Sequence, residues 1–342
     1  MKKKYDFWID IDNAPHVQIF APIINQLEKR YMVLITAKDY GQTIGLLNVK
    51  GIHFIKIGKH PGKSLFFKIT GSIFRAIQLF FYVRKMQIKL AVSHGSRSLI
   101  IASFLLRIKS VVMFDYEYSE KYLKAHLATF LLIPDLLGIK TLLKLGFNSK
   151  KIFEYPGMKE NIYVPFYSPD TSIARQLGIN SSRIIVLFRP PSEISHYNKS
   201  IGYNIINELL AYLLKKENLQ ILITLRYSSQ LAQYVHFINH KNVILLNKVY
   251  DGLDLINLSD IVISGGGTMN REAAVMGVPV YSVFQGSKAT IDLNLAEKNK
   301  LIFIEEVNDF QKIILKKKSA KKYSLAKDSF TYVLEFLENK LY

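Results

Sequence analysis

The stretch Ile261–Pro279, IVISGGGTMNREAAVMGVP, runs from an apolar strand through three glycines and a threonine into a helix. It closes on Gly–x–Pro before a second apolar run, Val280–Phe284. Glycines at a strand-to-helix turn let the backbone approach a ligand with no Cβ in the way. The free amides and positive dipole end of the helix then favour an anion, most often a phosphate. On this reading Gly265, Gly266, Gly267 and Thr268 cradle phosphates and Asn270 belongs to the same turn. Glu272 stands one turn into the helix, where a carboxylate could reach sugar hydroxyls. The alternative is a tight turn whose glycines serve only helix–sheet packing.

Two neighbouring motif classes fail on spacing. A dinucleotide fingerprint needs G-x-G-x-x-G; Gly265 and Gly267 fit, but Asn270 holds the third place. Gly58–Ser64, GKHPGKS, has three residues before its GKS where a P-loop needs four. Asp115 and Glu117 form D-x-E just after an apolar run, where α/β sites collect. Alternate residues of an extended segment face opposite ways, so one of the two carboxylates is expected to enter a site. Together they could bind Mg²⁺; separately they would cap helices. Arg189 follows the apolar run Ile184–Phe188 and precedes two prolines, well placed to meet a diphosphate. His196 and Tyr197 lie on the same loop.

These residues must be positioned by a sizeable fold. A chain of 342 residues predicts about two domains. Hydrophobic content of 49% excludes disorder, and no apolar run reaches the roughly 18 residues of a membrane span. Asp6, Asp10 and Asp12 interrupt the first apolar run, so it does not read as a signal peptide, and a cytoplasmic protein is expected. The absence of cysteine excludes disulfides and thiolate metal sites.

The net charge of +19 is uneven, because Tyr40 to Phe114 contains 12 Lys or Arg and no Asp or Glu. Inside it, Ser64–Gln87 has helical periodicity. Ser64, Lys68, Gly71, Ser72, Arg75, Gln78, Tyr82 and Lys85 make one narrow polar stripe against a wide apolar remainder. Two expectations follow: residues 63–89 lie peripherally on an anionic membrane, or protein covers both sides of the helix and the basic stripe is solvated. Nucleic acid is not expected, since no helix-turn-helix, zinc or RNP pattern accompanies the charge.

Apolar runs alternate with helical patterns along the chain. Strands are predicted at Tyr5–Ile11, Met32–Ala37, His53–Ile57, Leu90–Ser93, Ser110–Phe114, Leu131–Pro134 and Lys151–Tyr155. Helices are predicted at Val17–Arg30, Gly41–Val49 and Ser98–Leu106. The segment after Tyr155, PGMKENIYVPFYSPD, reads as an interdomain connection. Alternation resumes from Ile184, with a last helix at Tyr323–Lys340. The pattern predicts an α/β protein of two Rossmann-like domains with parallel sheets and a cleft between them. Residues 1–164 form the first domain, 165–322 the second, and 323–342 the closing helix.

Several segments together resemble glycosyltransferases of the GT-B fold: IDIDNAPHVQIFAPIINQLEKR, SHGSRS, FDYEYSE, YPGMKE, FRPPSEISHYN and ISGGGTMNREAAVMGVP. The chain is most similar to a prokaryotic group of GT-B-like proteins. That group itself looks like the lipid-linked peptidoglycan N-acetylglucosamine transferase and the non-hydrolysing UDP-N-acetylglucosamine 2-epimerases. The resemblance implies an N-terminal acceptor domain, a C-terminal nucleotide-sugar domain and a last helix that returns to the first.

It also implies roles. In similar transferases the first βα loop faces the donor and a histidine there acts as base or orients the acceptor; His16 matches it, with Asp12 as second candidate. A histidine suits proton removal from a hydroxyl at neutral pH. The alternative for His16 is a helix cap. Asp292 and Asn294 match a region that contacts the donor sugar, or are an ordinary helix start capped by Thr290. GT-B enzymes commonly need no bound metal or other cofactor. The expected function is inverting transfer of a sugar from a nucleotide diphosphate, a UDP-sugar, to a lipid-linked or polysaccharide acceptor of the cell envelope. The alternatives are a 2-epimerase and a non-catalytic sugar-nucleotide-binding subunit. Against the epimerase, the first loop reads DIDNAPH rather than GTRPE, SHGSRS lacks the acid after His-Gly, and Arg189 stands where a histidine is expected.

Overall fold

The computed structural model describes residues 2–59, 65–191, 199–225, 230–248, 250–318 and 326–342, without the side chains of 65–68 and 199–204. His196 and Tyr197, and the start of the expected last helix, lie outside the described residues. The chain divides into two compact units, Met1–Phe166 with Ala326–Tyr342, and Tyr167–Leu325.

Unit 1 runs β1 (Lys3–Ile11), α1 (Ala14–Leu27), β2 (Val33–Asp39), α2 (Thr43–Val49), β3 (Ile55–Lys59), α3 (Leu65–Val83) and β4 (Met86–His94). It continues with α4 (Arg97–Leu105), β5 (Lys109–Met113), α5 (Tyr122–Leu127), β6 (Phe130–Pro134), α6 (Ile139–Lys144), β7 (Ile152–Tyr155) and α7 (Glu160–Tyr163). The seven strands are parallel, in the order β3-β2-β1-β4-β5-β6-β7. Central strands buried on both faces read as continuous apolar runs rather than alternation. Phe7, Trp8, Ile9 and Ile11 of β1 accordingly have no exposed surface.

Unit 2 holds α8 (Ile173–Gln176), β8 (Ile184–Arg189), α9 (Lys199–Leu214), β9 (Leu219–Thr224), α10 (Leu231–Ile238), β10 (Val243–Leu246) and α11 (Gly252–Leu258). Next come β11 (Ile261–Ser264), α12 (Gly267–Val275), β12 (Val280–Ser282), α13 (Thr290–Glu297) and β13 (Ile302–Phe303). Its sheet is parallel in the order β10-β9-β8-β11-β12-β13. The core joins Val186, Phe188, Leu209, Leu213, Ile221 and Ile263 across sheet and helix.

Three expectations are corrected. α1 starts at Ala14, three residues before Val17, because Asn13 caps it by accepting from the Ala14 amide at 2.9 Å and Pro15 suits the first turn. The predicted helix Ser64–Gln87 stops at Val83, because β4 pairs with β1 from Met86 onward. The segment after Tyr155 is no loose connection up to Phe166. Met158, Ile162, Tyr163 and Val164 are buried, α7 packs on α1, and α14 (Asp328–Asn339) packs on α7. Ser329 Oγ donates to the Pro156 carbonyl at 2.7 Å, and Phe336 lies 4.9 Å from Phe153 between ring centres. α14 therefore belongs to unit 1. Among the described residues no helix is long and apolar enough to cross a membrane.

Candidate functional site

In each sheet the strand order reverses once, and ligands of open α/β sheets bind beyond the strands' carboxyl ends at that point. In unit 1 the reversal lies between β1 and β4; in unit 2 it lies between β8 and β11.

The unit 1 crevice has a buried floor. Asp10, one residue from the end of β1, has no exposed surface and holds Arg75 of α3 by two bonds, at 2.6 and 2.8 Å. Ser96 donates to Asp10 at 2.6 Å, Thr36 donates to it at 2.6 Å, and Trp8 Nε1 donates to Thr36 at 2.9 Å. Arg75 Nε also donates to the Ile57 carbonyl at 2.8 Å. Gly58 is what lets Arg75 through, since a Cβ there would lie 2.8 Å from Arg75 Cδ. This overturns the expectation that Arg75 belongs to a solvated basic stripe: it is 2% exposed. A guanidinium that matches a carboxylate bidentately is the cation best suited to burial.

Above that floor stand the acid–base groups. His16 lies in the first turn of α1, and its Nδ1 is 2.9 Å from Asp12 Oδ1. The contact is within ion-pair range but off the direction of a good hydrogen bond. The His16 ring lies 4.6 Å from the His94 ring between centres. His94 ends β4, and its Nε2 is 3.5 Å from Asp115 Oδ1. Asp115 Oδ2 takes Lys159 Nζ at 2.5 Å, and Lys159 is 3.3 Å from Glu160. Asp12, His16, His94, Asp115, Lys159 and Glu160 thus form one chain of contacts over the ends of β1, β4 and β5.

Two pKa shifts follow. Burial works to raise the Asp12 carboxyl, but the close contact and charge of His16, with Arg75 and Lys38 behind, outweigh it and hold Asp12 below its ordinary value. Burial, reinforced by His16, pushes His94 down to about 3 against the opposing Asp115. His94 is therefore a neutral imidazole at physiological pH.

Asp115 and Glu117 are both buried, and Asp115 meets His94 and Lys159. The segment after β5 is not a regular strand, and strict alternation lapses with it. Among the described residues no group of three acids or histidines is arranged to hold a metal ion. Asn13, not His16, is the α1 cap. His94 and Lys159 escaped the sequence reading of roles. The former stood inside SHGSRS at a strand end, which is the usable signal; the latter stood in a segment read as a connection.

In unit 2, Arg189 and Ser264 are register partners at the ends of β8 and β11. Gly265 donates to the Arg189 carbonyl at 2.9 Å. The three glycines then differ. A Cβ on Gly265 would lie 2.6 Å from the Pro191 Cα, so this glycine answers to packing. A Cβ on Gly266 would meet only Ser264 Oγ at 3.5 Å, and one on Gly267 only the ends of Arg271 and Asp292 at 3.9 Å. Gly266 caps α12 with no side-chain bond, leaving Gly267 and Thr268 as its first two residues.

The other candidates are divided as well. Asn270 is buried and donates to the Ser264 carbonyl at 3.2 Å, which makes it part of the turn's frame. Glu272 is buried with Oε2 directed at Gly252, the first residue of α11. Asp292 is paired with Arg271 at 2.7 Å beside Gly267. Asn294 donates to the Thr290 carbonyl of its own helix at 3.1 Å, and the cap of α13 is Ala289, not Thr290. Arg271 is the residue the sequence reading passed over in this turn.

Comparison with known proteins agrees with this architecture. Residues 5–341 match the family described as "Protein of unknown function (DUF354)". "Uncharacterized protein MJ0665" of Methanocaldococcus jannaschii is 29% identical over 318 residues, 90% of this chain and 89% of that protein. Among solved structures, the UDP-GlcNAc 2-epimerase of the same organism in complex with UDP-GlcNAc and UDP aligns with a TM-score of 0.76 at 15% identity, over 98% of this chain and 99% of that one. The spinosyn rhamnosyltransferase SpnG aligns with a TM-score of 0.58 at 13% identity, over 98% and 95%. The likeness is one of fold: α/β, of the GT-B-like type with two parallel sheets.

Proposed function

Since the chain belongs to the DUF354 family and folds as a GT-B-like protein, we propose that it is a glycosyltransferase. It would move a sugar from a nucleotide diphosphate, a UDP-sugar, to a hydroxyl of a cell-envelope or surface-polysaccharide acceptor, with inversion. The observation that carries the reading is the Asp12–His16 pair at the strand-order reversal of unit 1. The charge of the Asp12 carboxylate beside Nδ1 favours a proton there and leaves Nε2 to accept one, the arrangement a general base needs. The acceptor oxygen loses its proton to His16 and attacks the anomeric carbon, and the bond to the diphosphate breaks with its electron pair.

Unit 2 supplies the donor site in this proposal. The diphosphate sits on the amides of Gly266, Gly267 and Thr268, where the positive end of α12 offsets the leaving charge. Arg189 and Arg271 add cations, and Glu272 takes the ribose hydroxyls.

A 2-epimerase is the second reading, favoured by the neutral His94 beside Asp115, a second acid–base couple in the same crevice. The UDP-GlcNAc 2-epimerases among the similar folds make UDP-GlcNAc its natural test substrate. Heat stabilisation by a panel of UDP- and GDP-sugars identifies the donor. UDP release that requires an added acceptor supports transfer. Exchange of solvent deuterium into the sugar at C2 without acceptor supports epimerisation and overturns transfer. Stabilisation without turnover by either route leaves a sugar-nucleotide-binding subunit.

A further inference from the structure

Helix α3 is apolar on two sides: Ala76, Leu79 and Val83 are buried in the unit 1 core, and a second apolar side faces outward. Arg75 of the polar stripe faces inward onto Asp10, and Ser72 and Gln78 are half-buried. Ile69, Ile73, Phe74, Ile77 and Phe81 face outward, with Phe74 63% and Phe81 54% exposed. Ile69, Ile73, Ile77 and Phe81 recur every four residues, with Phe74 beside them, and so share one side of the helix. The apolar surface continues on α4. Both helices lead from one parallel strand to the next, so they run in the same direction, and Ser98 Oγ donates to the Ser72 carbonyl. That register sets Phe104 and Leu105, both exposed, about level with the turn that holds Ile77 and Phe81. Scattered apolar residues are ordinary on a surface; seven on two adjoining helices make a patch that marks an interaction site.

The charge around the patch selects the partner. Arg84, Lys85, Arg107 and Lys109 are exposed beside it, and the Arg84 guanidinium lies 5.3 Å from the Phe81 ring centre. Between Tyr40 and Phe114 there is no acid, and the ion pairs among the described residues take up Lys56, Arg75 and Lys89 of that span but none of these four. An apolar face rimmed by uncompensated cations needs a partner that is apolar within and anionic at its surface. A bilayer containing anionic lipid supplies both at once. We infer that the outward face of α3 and the end of α4 dock unit 1 on an anionic membrane. Phe74, Ile77, Phe81, Phe104 and Leu105 enter the headgroup boundary, and the cations lie over the lipid phosphates. The inference rests on the transferase reading only in naming the source of the acceptor, which is then lipid-borne.

The test is co-sedimentation with phosphatidylglycerol–phosphatidylcholine vesicles and with phosphatidylcholine alone, alongside donor binding by calorimetry. Wild type should bind the anionic vesicles and release them as salt rises. Phe74→Asp with Phe81→Asp should lower that partition at least about tenfold, since each change withdraws a large apolar side chain from the boundary. Both positions are exposed, so the unfolding midpoint and donor affinity should hold. Unaltered sedimentation of the double variant overturns the inference. So does a wild type that ignores anionic vesicles, or one that self-associates without lipid and is made monomeric by the same substitutions. Vesicle binding without any sugar-nucleotide binding would leave the docking face standing and remove the transferase reading.

Discussion

The two strand-order reversals are built from different materials. In unit 1 the crevice is lined by side chains whose charges answer one another: Asp10 with Arg75, Asp12 with His16, Asp115 with His94 and Lys159. In unit 2 the corresponding place is a glycine turn at the head of α12, with Arg271 and Asp292 to one side. The first arrangement suits moving a proton, because neighbouring charges set which group holds it. The second suits holding an anion, because amides and a helix dipole need no titratable group. The difference teaches that one topology opens a crevice at the same spot in both sheets, while residue type decides whether the spot is suited to proton transfer or to holding an anion.

Substitutions can break this contrast. His16→Ala should cut turnover about 10²–10⁴-fold, the usual contribution of positioned proton transfer. Donor affinity should hardly change, because that site is assigned to unit 2. Calorimetry against steady-state rates separates the two. Asp12→Asn is the control: a severe Asp12→Asn with a near-normal His16→Ala would reverse the roles.

Arg75→Leu should be the largest loss of stability. It leaves Asp10 buried without its cation, and breaking a buried pair costs about 3–5 kcal/mol. Denaturant unfolding should show the loss in unit 1. An unchanged midpoint would mean that Asp10 takes up a proton at little cost.

The glycine turn offers a sharper pair. Gly265→Ala meets Pro191 backbone and should destabilise unit 2 by about 1–3 kcal/mol, as forced overpacking does. At Gly266 an added Cβ meets only Ser264 Oγ in ordinary contact, and Gly266→Val should instead abolish sugar-nucleotide binding. Equal donor affinity in Gly266→Val and wild type would remove the turn as a phosphate site.

A further effect is on pH dependence. His94 binds a proton near 6.5 when unfolded and only near 3 when folded. Between these values the unfolded state holds the extra proton, so stability falls as pH falls, by about 1.4 kcal/mol per unit from this group. The lowered Asp12 works in the same direction. His94→Gln should flatten the slope between pH 6 and pH 4; an equal slope would place the proton uptake elsewhere.

Helix α3 shows where sequence reasoning stops. Its periodicity was legible, but periodicity states only that polar and apolar residues lie on different sides. It does not say which side faces the protein. The usual assumption turns the apolar side inward. Here Ala76, Leu79 and Val83 do turn inward, but the bidentate bond of Arg75 to a fully buried Asp10, with room made by Gly58, offsets the burial of a cation and brings Arg75 inward with them, leaving Ile73, Phe74, Ile77 and Phe81 exposed. Asp10 is separated from Arg75 by 65 residues, and no local pattern links them.

The alternation of apolar runs and helical patterns determined two parallel α/β units, since strands buried on both faces cannot hide their composition. It also determined that the strand-to-helix turns at Asp12–His16 and Gly265–Thr268 would stand at the carboxyl ends of strands, because a βα turn has no other place. Tertiary structure alone decided that β1 lies beside β4 and β8 beside β11, which brings His94 to His16 and Arg189 to Ser264. It decided likewise that Lys159, read as part of a connection, ends against Asp115. Strand order and long-range ion pairs depend on which surfaces pack together across the whole chain, and that information is spread over residues far apart in sequence.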